Sequence, residues 1–186
     1  MKRRTYLVGL GATLGLSGVV GSGAFDTVSA NRDVAVAVAE DDQAYLRLTQ
    51  RGSGRRSYFD GNTIGFDIPG PDDDEYGGTD PEGLGRDSVY RFASDAASDE
   101  QGLFAIENQG TDPVEIFGSQ DTTAGVPTVR IFNVSSGSLL TEMSRSDPLS
   151  VGNQIPCGLE IDTQGVDVRT EEYEVTLSIN AVETST

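Results

Sequence analysis

The sequence predicts an all-β fold, a two-sheet antiparallel β-sandwich of jelly-roll or immunoglobulin-like plan, and three observations lead there. Apolar residues recur at every second position in segment after segment, the period of a half-buried strand and not of a helix. Turn-forming pairs separate these segments at short intervals, and no stretch carries an amphipathic helical pattern of ordinary length. At 186 residues with one cysteine, the chain is long enough to bury a continuous core in one domain without disulfide staples.

Residues 1–24 read as a secretory signal peptide. A basic start at Lys2, Arg3 and Arg4 leads into an apolar stretch from Thr5 to Val20, and small residues follow it. That stretch is 16 residues long and is interrupted by Gly9, Gly11, Gly15 and Gly18, whereas a membrane-spanning helix needs about 20 apolar residues. Cleavage is expected after Ala24, with Ala30 as the alternative. Arg3-Arg4-Thr5-Tyr6-Leu7 also fits a twin-arginine export signal loosely, and an ordinary basic start explains it equally well. Either route delivers residues 25–186, read as a single β-sandwich domain, to the cell surface or the medium, with no stable membrane span once the signal is removed.

The first strand candidate alternates Val34, Val36 and Val38 with Ala35, Ala37 and Ala39, so both of its faces are apolar. Two readings stay open: a first strand buried in its own sandwich, or a donor strand that completes the sheet of another copy. Next, Tyr45, Arg47 and Thr49 alternate with Leu46 and Leu48. Further strands are predicted at 55–60, 63–68, 88–93, 102–108, 113–117, 127–134, 148–151 and 157–162. The cleanest alternation sets Tyr173, Val175, Leu177 and Ile179 against Glu174, Thr176, Ser178 and Asn180. Turns fall at 51–54, 61–62 and 108–112, and 94–101 has room for one helical turn. Residues 69–87, which include PGPDDDEYGGTDPEGLGR, are too rich in glycine and proline for a regular element and form a long acidic loop.

Thirteen cations face 30 acids, for a formal net charge of −17. Removing residues 1–24 takes Lys2, Arg3 and Arg4 and no acid, so the charge becomes −20 and no lysine remains. Nucleic acid and anionic lipid are thereby poor partners. Acids spread between apolar strands, with arginine as the sole remaining cation, suit a protein that works in brine. At about 1 M salt the screening length is near 3 Å, and neighbouring carboxylates scarcely repel.

Histidine is absent, which removes the commonest general base and zinc ligand, and with them Ser-His-Asp, Cys-His and HExxH chemistry. No cofactor is implied. Asp72, Asp73, Asp74 and Glu75 are weak candidates for a hard cation, but Tyr76 falls in a ligand slot and the spacing fits a calcium loop badly. A solvated acidic loop explains them as well. Arg51, Arg55 and Arg56, with Arg47 nearby, form either a basic patch for an acidic neighbour or a hairpin whose tip is basic. Asn133-Val134-Ser135 is an N-glycosylation sequon. Cys157 reads as a small buried residue and not a nucleophile.

Three stretches carry a family resemblance: GSGAF at 21–25, FAIENQGTDPVEIF at 104–117, and LSVGNQIPCGLEIDT followed by YEVTLSINA within 149–181. Together they resemble a secreted haloarchaeal family built on a domain of unknown function, itself similar in plan to the TasA/camelysin fibre proteins of biofilms. The resemblance implies an exported jelly-roll-like sandwich whose new N-terminus, centred here on Val34, Val36 and Val38, completes a neighbour's sheet. Metalloprotease activity described for camelysin relatives does not carry over, because no histidine is present to hold zinc.

The expected role is a non-enzymatic, salt-adapted structural protein of the cell surface or extracellular matrix, self-associating or bound to other surface proteins. Its rivals are a monomeric surface module that binds a glycan or a protein, and a hydrolase built from carboxylates alone.

Overall fold

The structure, a computed structural model, describes residues 44–52, 55–70, 83–95, 101–121, 124–169 and 172–184. The signal segment, Val34, Val36 and Val38, and Asp72, Asp73, Asp74 and Glu75 lie outside them. The described residues form strands and no helix. In chain order the strands are β1 (Leu46–Gln50), β2 (Ser57–Asp60), β3 (Thr63–Phe66), β4 (Val89–Phe92), β5 (Phe104–Asn108), β6 (Val114–Gln120), β7 (Thr128–Asn133), β8 (Leu139–Leu140), β9 (Gln154–Asp162) and β10 (Leu177–Glu183).

All pairings between strands are antiparallel. The larger sheet runs β1-β5-β9-β7-β8 and is organised by β9, the longest strand. One edge of β9 pairs with β7. Its other edge is shared end to end: Gln154–Cys157 face β5 and Leu159–Asp162 face β4. The chain between β4 and β5 leaves and rejoins the sheet where Gly102 N–H bonds Ala93 O at 2.7 Å and Leu103 N–H bonds Cys157 O at 2.8 Å. Gly158 marks this junction. A Cβ there would lie 2.5 Å from Phe92 O and 2.7 Å from the Phe132 ring, so only glycine fits.

Alternation along each strand decides which face is buried. Ile155, Cys157, Leu159 and Ile161 of β9 line the core with Phe104 and Ile106 of β5 and Ile131 of β7. Two smaller sheets, β6–β10 and β2–β3, cover that face. They bring Val114, Ile116 and Ile64 into the same cluster, while Phe66 meets Phe104 with ring centroids 5.1 Å apart. Gly118 of β6 passes so close to Ile131 that a Cβ would stand 2.9 Å from its side chain. The result is a β-sandwich. Each wholly buried large residue, such as Leu103, Phe104, Ile116 or Leu140, contributes about 1.5–3 kcal/mol of transfer free energy.

Several predicted strands differ from those observed. The segment expected at 157–162 begins three residues earlier, at Gln154, with Pro156 inside it. The missing N–H of Pro156 points to the β7 side beyond the end of that strand, where Pro156 O still accepts Val134 N–H at 2.9 Å. The segment expected at 148–151 shrinks to one bridge, Leu149 with Val114. Pro148 has no donor there, and Ser146 Oγ takes Ile116 N–H instead of a main-chain oxygen. The strand expected from Tyr173 starts at Leu177, because β6, its pairing strand, ends at Gln120. Gln120 is turned away to bond Val129 N–H and Pro127 O. Of the segment 94–101, where one helical turn has room, residues 96–100 lie outside the described residues, and Ser94 and Gln101 are bridged to each other.

Candidate functional site

Among the described residues, the outer edges of β10 and β1 are unpaired. β10 pairs with β6 alone, and the other side of β6 is occupied by the 146–149 segment through Ser146 and Leu149. Thr184 N–H donates to Pro113 O at 3.2 Å, and the register continues as Glu183↔Val114 to Leu177↔Gln120. Antiparallel pairs alternate between bonded and non-bonded positions. Val182, Asn180 and Ser178 therefore bond to β6, while Leu177, Ile179, Ala181 and Glu183 turn their N–H and C=O groups away from it. Nothing pairs with these groups among the described residues. The edge carries no lysine, proline or bulge, and its one charge is Glu183 at the end, so the usual protections against strand addition are missing.

The second open edge is β1. Arg51 N–H bonds Leu103 O at 3.0 Å and Gln109 N–H bonds Tyr45 O at 2.9 Å, which leaves the backbone of Leu46, Leu48 and Gln50 facing outward by the same alternation. This edge is less regular in its surroundings, since Gln50 Nε2 is spent on Ser57 O at 2.7 Å.

In the candidate basic patch, the Arg56 side chain has local work. Arg56 Nε donates to Pro69 O at 2.7 Å and Nη1 to Ser94 O at 3.3 Å, and its guanidinium stands 4.9 Å from the centre of the Phe92 ring. Its backbone N–H, with that of Arg55, goes to the buried carboxylate of Asp95. Burial pushes the Cys157 thiol up to about 12, opposed weakly by the charge of Arg51. Arg47 lies on the other face of the large sheet, paired at 3.3 Å with Glu107 directly across the register. Arg47 and Arg56 therefore cannot serve one surface.

A polar centre absent from the sequence reading sits on that outer face. Glu160, 5% exposed, accepts Arg91 Nε at 2.7 Å and Arg130 Nη1 at 3.0 Å. Arg130 reaches Asp162 at 3.8 Å, and Arg91 lies 5.1 Å from the centre of the Phe132 ring. The available signal was the single acid in an apolar run, Ile155 to Ile161. Asn133 ends β7, and its sequon enters an exposed hairpin tip.

Among the described residues, no three His, Cys, Asp or Glu side chains gather to hold a metal, and no helix is long and apolar enough to cross a membrane. The fold and its edges define the class as an antiparallel β-sandwich with an unprotected edge strand. No protein-family model matches the chain, and neither the curated proteins nor the solved structures give a match.

Proposed function

We propose that this chain is an exported, salt-adapted structural protein of the cell surface or extracellular matrix, whose copies join by strand addition. The observation that carries this reading is the β10 edge, seven residues long, nearly neutral and unpaired among the described residues, in a chain whose net charge is −17. An edge of that kind is a template for a further strand, with main-chain hydrogen bonds supplying affinity. The segment around Val34, Val36 and Val38 supplies a matching strand, short, neutral and apolar on both faces. Its three valines contribute several kcal/mol, at about 1.5–3 kcal/mol each, to whichever sheet receives them, before ordering costs.

The test compares the mature protein with a form lacking residues 25–39. Filaments or higher oligomers from the mature protein, and a folded monomer from the shortened one, support strand donation. A shortened form that fails to fold points to the intramolecular reading, in which the segment is a first strand buried in its own sandwich.

A further inference from the structure

The chain has six asparagines, and only Asn133 is followed two positions later by a serine or threonine, with Val134 between them. Its surroundings separate what the hairpin needs from what the sequon supplies. Asn133 N–H donates to Ser138 O at 2.9 Å, and Gly137 N–H returns to Asn133 O at 2.8 Å, with Gly137 at φ +73° closing the turn into β8. The side-chain oxygen Oδ1 accepts Ser135 N–H at 2.9 Å. With its oxygen so engaged, the amide is oriented and Nδ2 is left without a hydrogen bond on the half-buried Asn133. Residues 135–138 are all exposed.

The hairpin uses Oδ1 and a main-chain N–H, a task an aspartate performs equally well. It makes no use of Nδ2, and Ser135 Oγ forms no hydrogen bond either. The two groups without a structural task are the two that define the sequon. We propose that Asn133 is N-glycosylated in the exported protein, an inference that rests on the export part of the reading above. Nδ2 attacks the anomeric carbon of a phosphate-linked glycosyl donor held by a glycosyltransferase. The new N–C bond forms as the C–O bond to phosphate breaks, and its electron pair leaves on the phosphate oxygen. A base of the transferase takes one amide proton. No redox change occurs, and the product keeps the Oδ1 contact that shapes the turn.

Trypsin isolates the site, since cleavage after Arg130 and Arg145 releases Ile131–Arg145 with no second asparagine. Protein recovered from the producing cells and their medium should yield this peptide heavier by whole sugar residues on Asn133. Ser135→Ala keeps the main-chain donor to Oδ1 and should return the peptide to its unmodified mass with the melting temperature of the enzymatically deglycosylated protein. Asn133→Asp should do the same. An unmodified peptide in the natural protein overturns the proposal, as does a modification that survives Ser135→Ala. The N-terminal peptide in the same digest reads export separately. A start after Ala24 or Ala30 with an unmodified Asn133 rejects glycosylation alone, and an uncut leader with an unmodified Asn133 rejects both.

Discussion

The carboxylate of Asp95, 1% exposed, receives the backbone N–H of Arg55 on both oxygens, at 3.2 and 3.1 Å. Arg56 N–H reaches the same group at 3.2 Å. One acid from the β4–β5 connection thus fixes the start of the β2–β3 hairpin through main-chain N–H groups. Gly52 belongs to the same joint. Its φ is +79°, and a Cβ would lie 2.4 Å from Asp95 Cβ.

Replacing Asp95 with alanine orphans two part-buried N–H donors, and each orphan costs about 1–3 kcal/mol. Asp95→Ala should therefore lower stability by about 3 kcal/mol, and Asp95→Asn, which retains one acceptor, by about 1 kcal/mol. Gly52→Ala should cost at least as much as Asp95→Asn, through backbone strain and the close approach together. Denaturant midpoints with an unchanged slope would check all three.

Glu160 sets a second prediction. Removing it leaves Arg91 and Arg130 facing each other without their shared acceptor. Breaking a buried pair costs about 3–5 kcal/mol, and the arginines here are 46% and 35% exposed, so Glu160→Ala should cost about 2–3 kcal/mol. A double-mutant cycle between Arg91 and Glu160 should keep its coupling in molar salt, because Glu160 is shielded. The Arg47–Glu107 pair, 40% and 24% exposed, should lose most of its coupling under the same conditions.

Much of the sandwich was legible because alternation survives wherever one face is buried. β5 and β7 show this, with Phe104, Ile106 and Ile131 inward. Legibility failed where a side chain replaced a main-chain partner or a strand borrowed its limits from a neighbour. Ser146 Oγ in place of a backbone oxygen, and the end of β6 deciding where β10 begins, leave no mark in local periodicity. β8, two residues long, is too short to show a period. The β10 edge was half visible: Leu177–Asn180 end the cleanest alternation in the chain, but which of its backbone groups turn outward depends on the register with β6. The Asp95 joint was invisible, since its contacts lie about 40 positions apart.

Cys157 predicts a pH dependence. Its thiol rises from 9.0 to about 12 on folding because burial disfavours the thiolate. The folded state then holds a proton that the unfolded state has lost between those values, so stability is unaffected below pH 9.0 and falls as pH climbs toward 12. The slope from this group is about 1.4 kcal/mol per pH unit. Cys157→Ala should remove that component from a stability–pH series, and thiol reagents should label Cys157 only after unfolding.

The charge balance predicts a salt dependence of opposite origin. With 30 acids against 13 cations, transfer from molar salt to dilute buffer lengthens the screening distance from about 3 Å to about 10 Å or more and brings surface carboxylates into mutual repulsion. The melting temperature should fall by many degrees on that transfer. An equal melting temperature in both solutions would reject adaptation to brine.

The open edge gives a substitution that separates assembly from folding. Ala181 is exposed, and the alternation along β10 turns its N–H away from β6. Proline at that position removes no bond to β6, and the edge of a sheet is where proline is tolerated. Asn180, which precedes it, is already extended, as proline requires. Ala181→Pro should therefore melt within about 1 kcal/mol of the parent protein, yet fail to form oligomers, because the added ring blocks an incoming strand and deletes one of its donors. Proline at Asn180, whose N–H is committed to β6, should instead destabilise the monomer. If Ala181→Pro assembles as the parent does, the β10 edge is not where copies meet, and the N-terminal segment must find its partner at β1 or elsewhere.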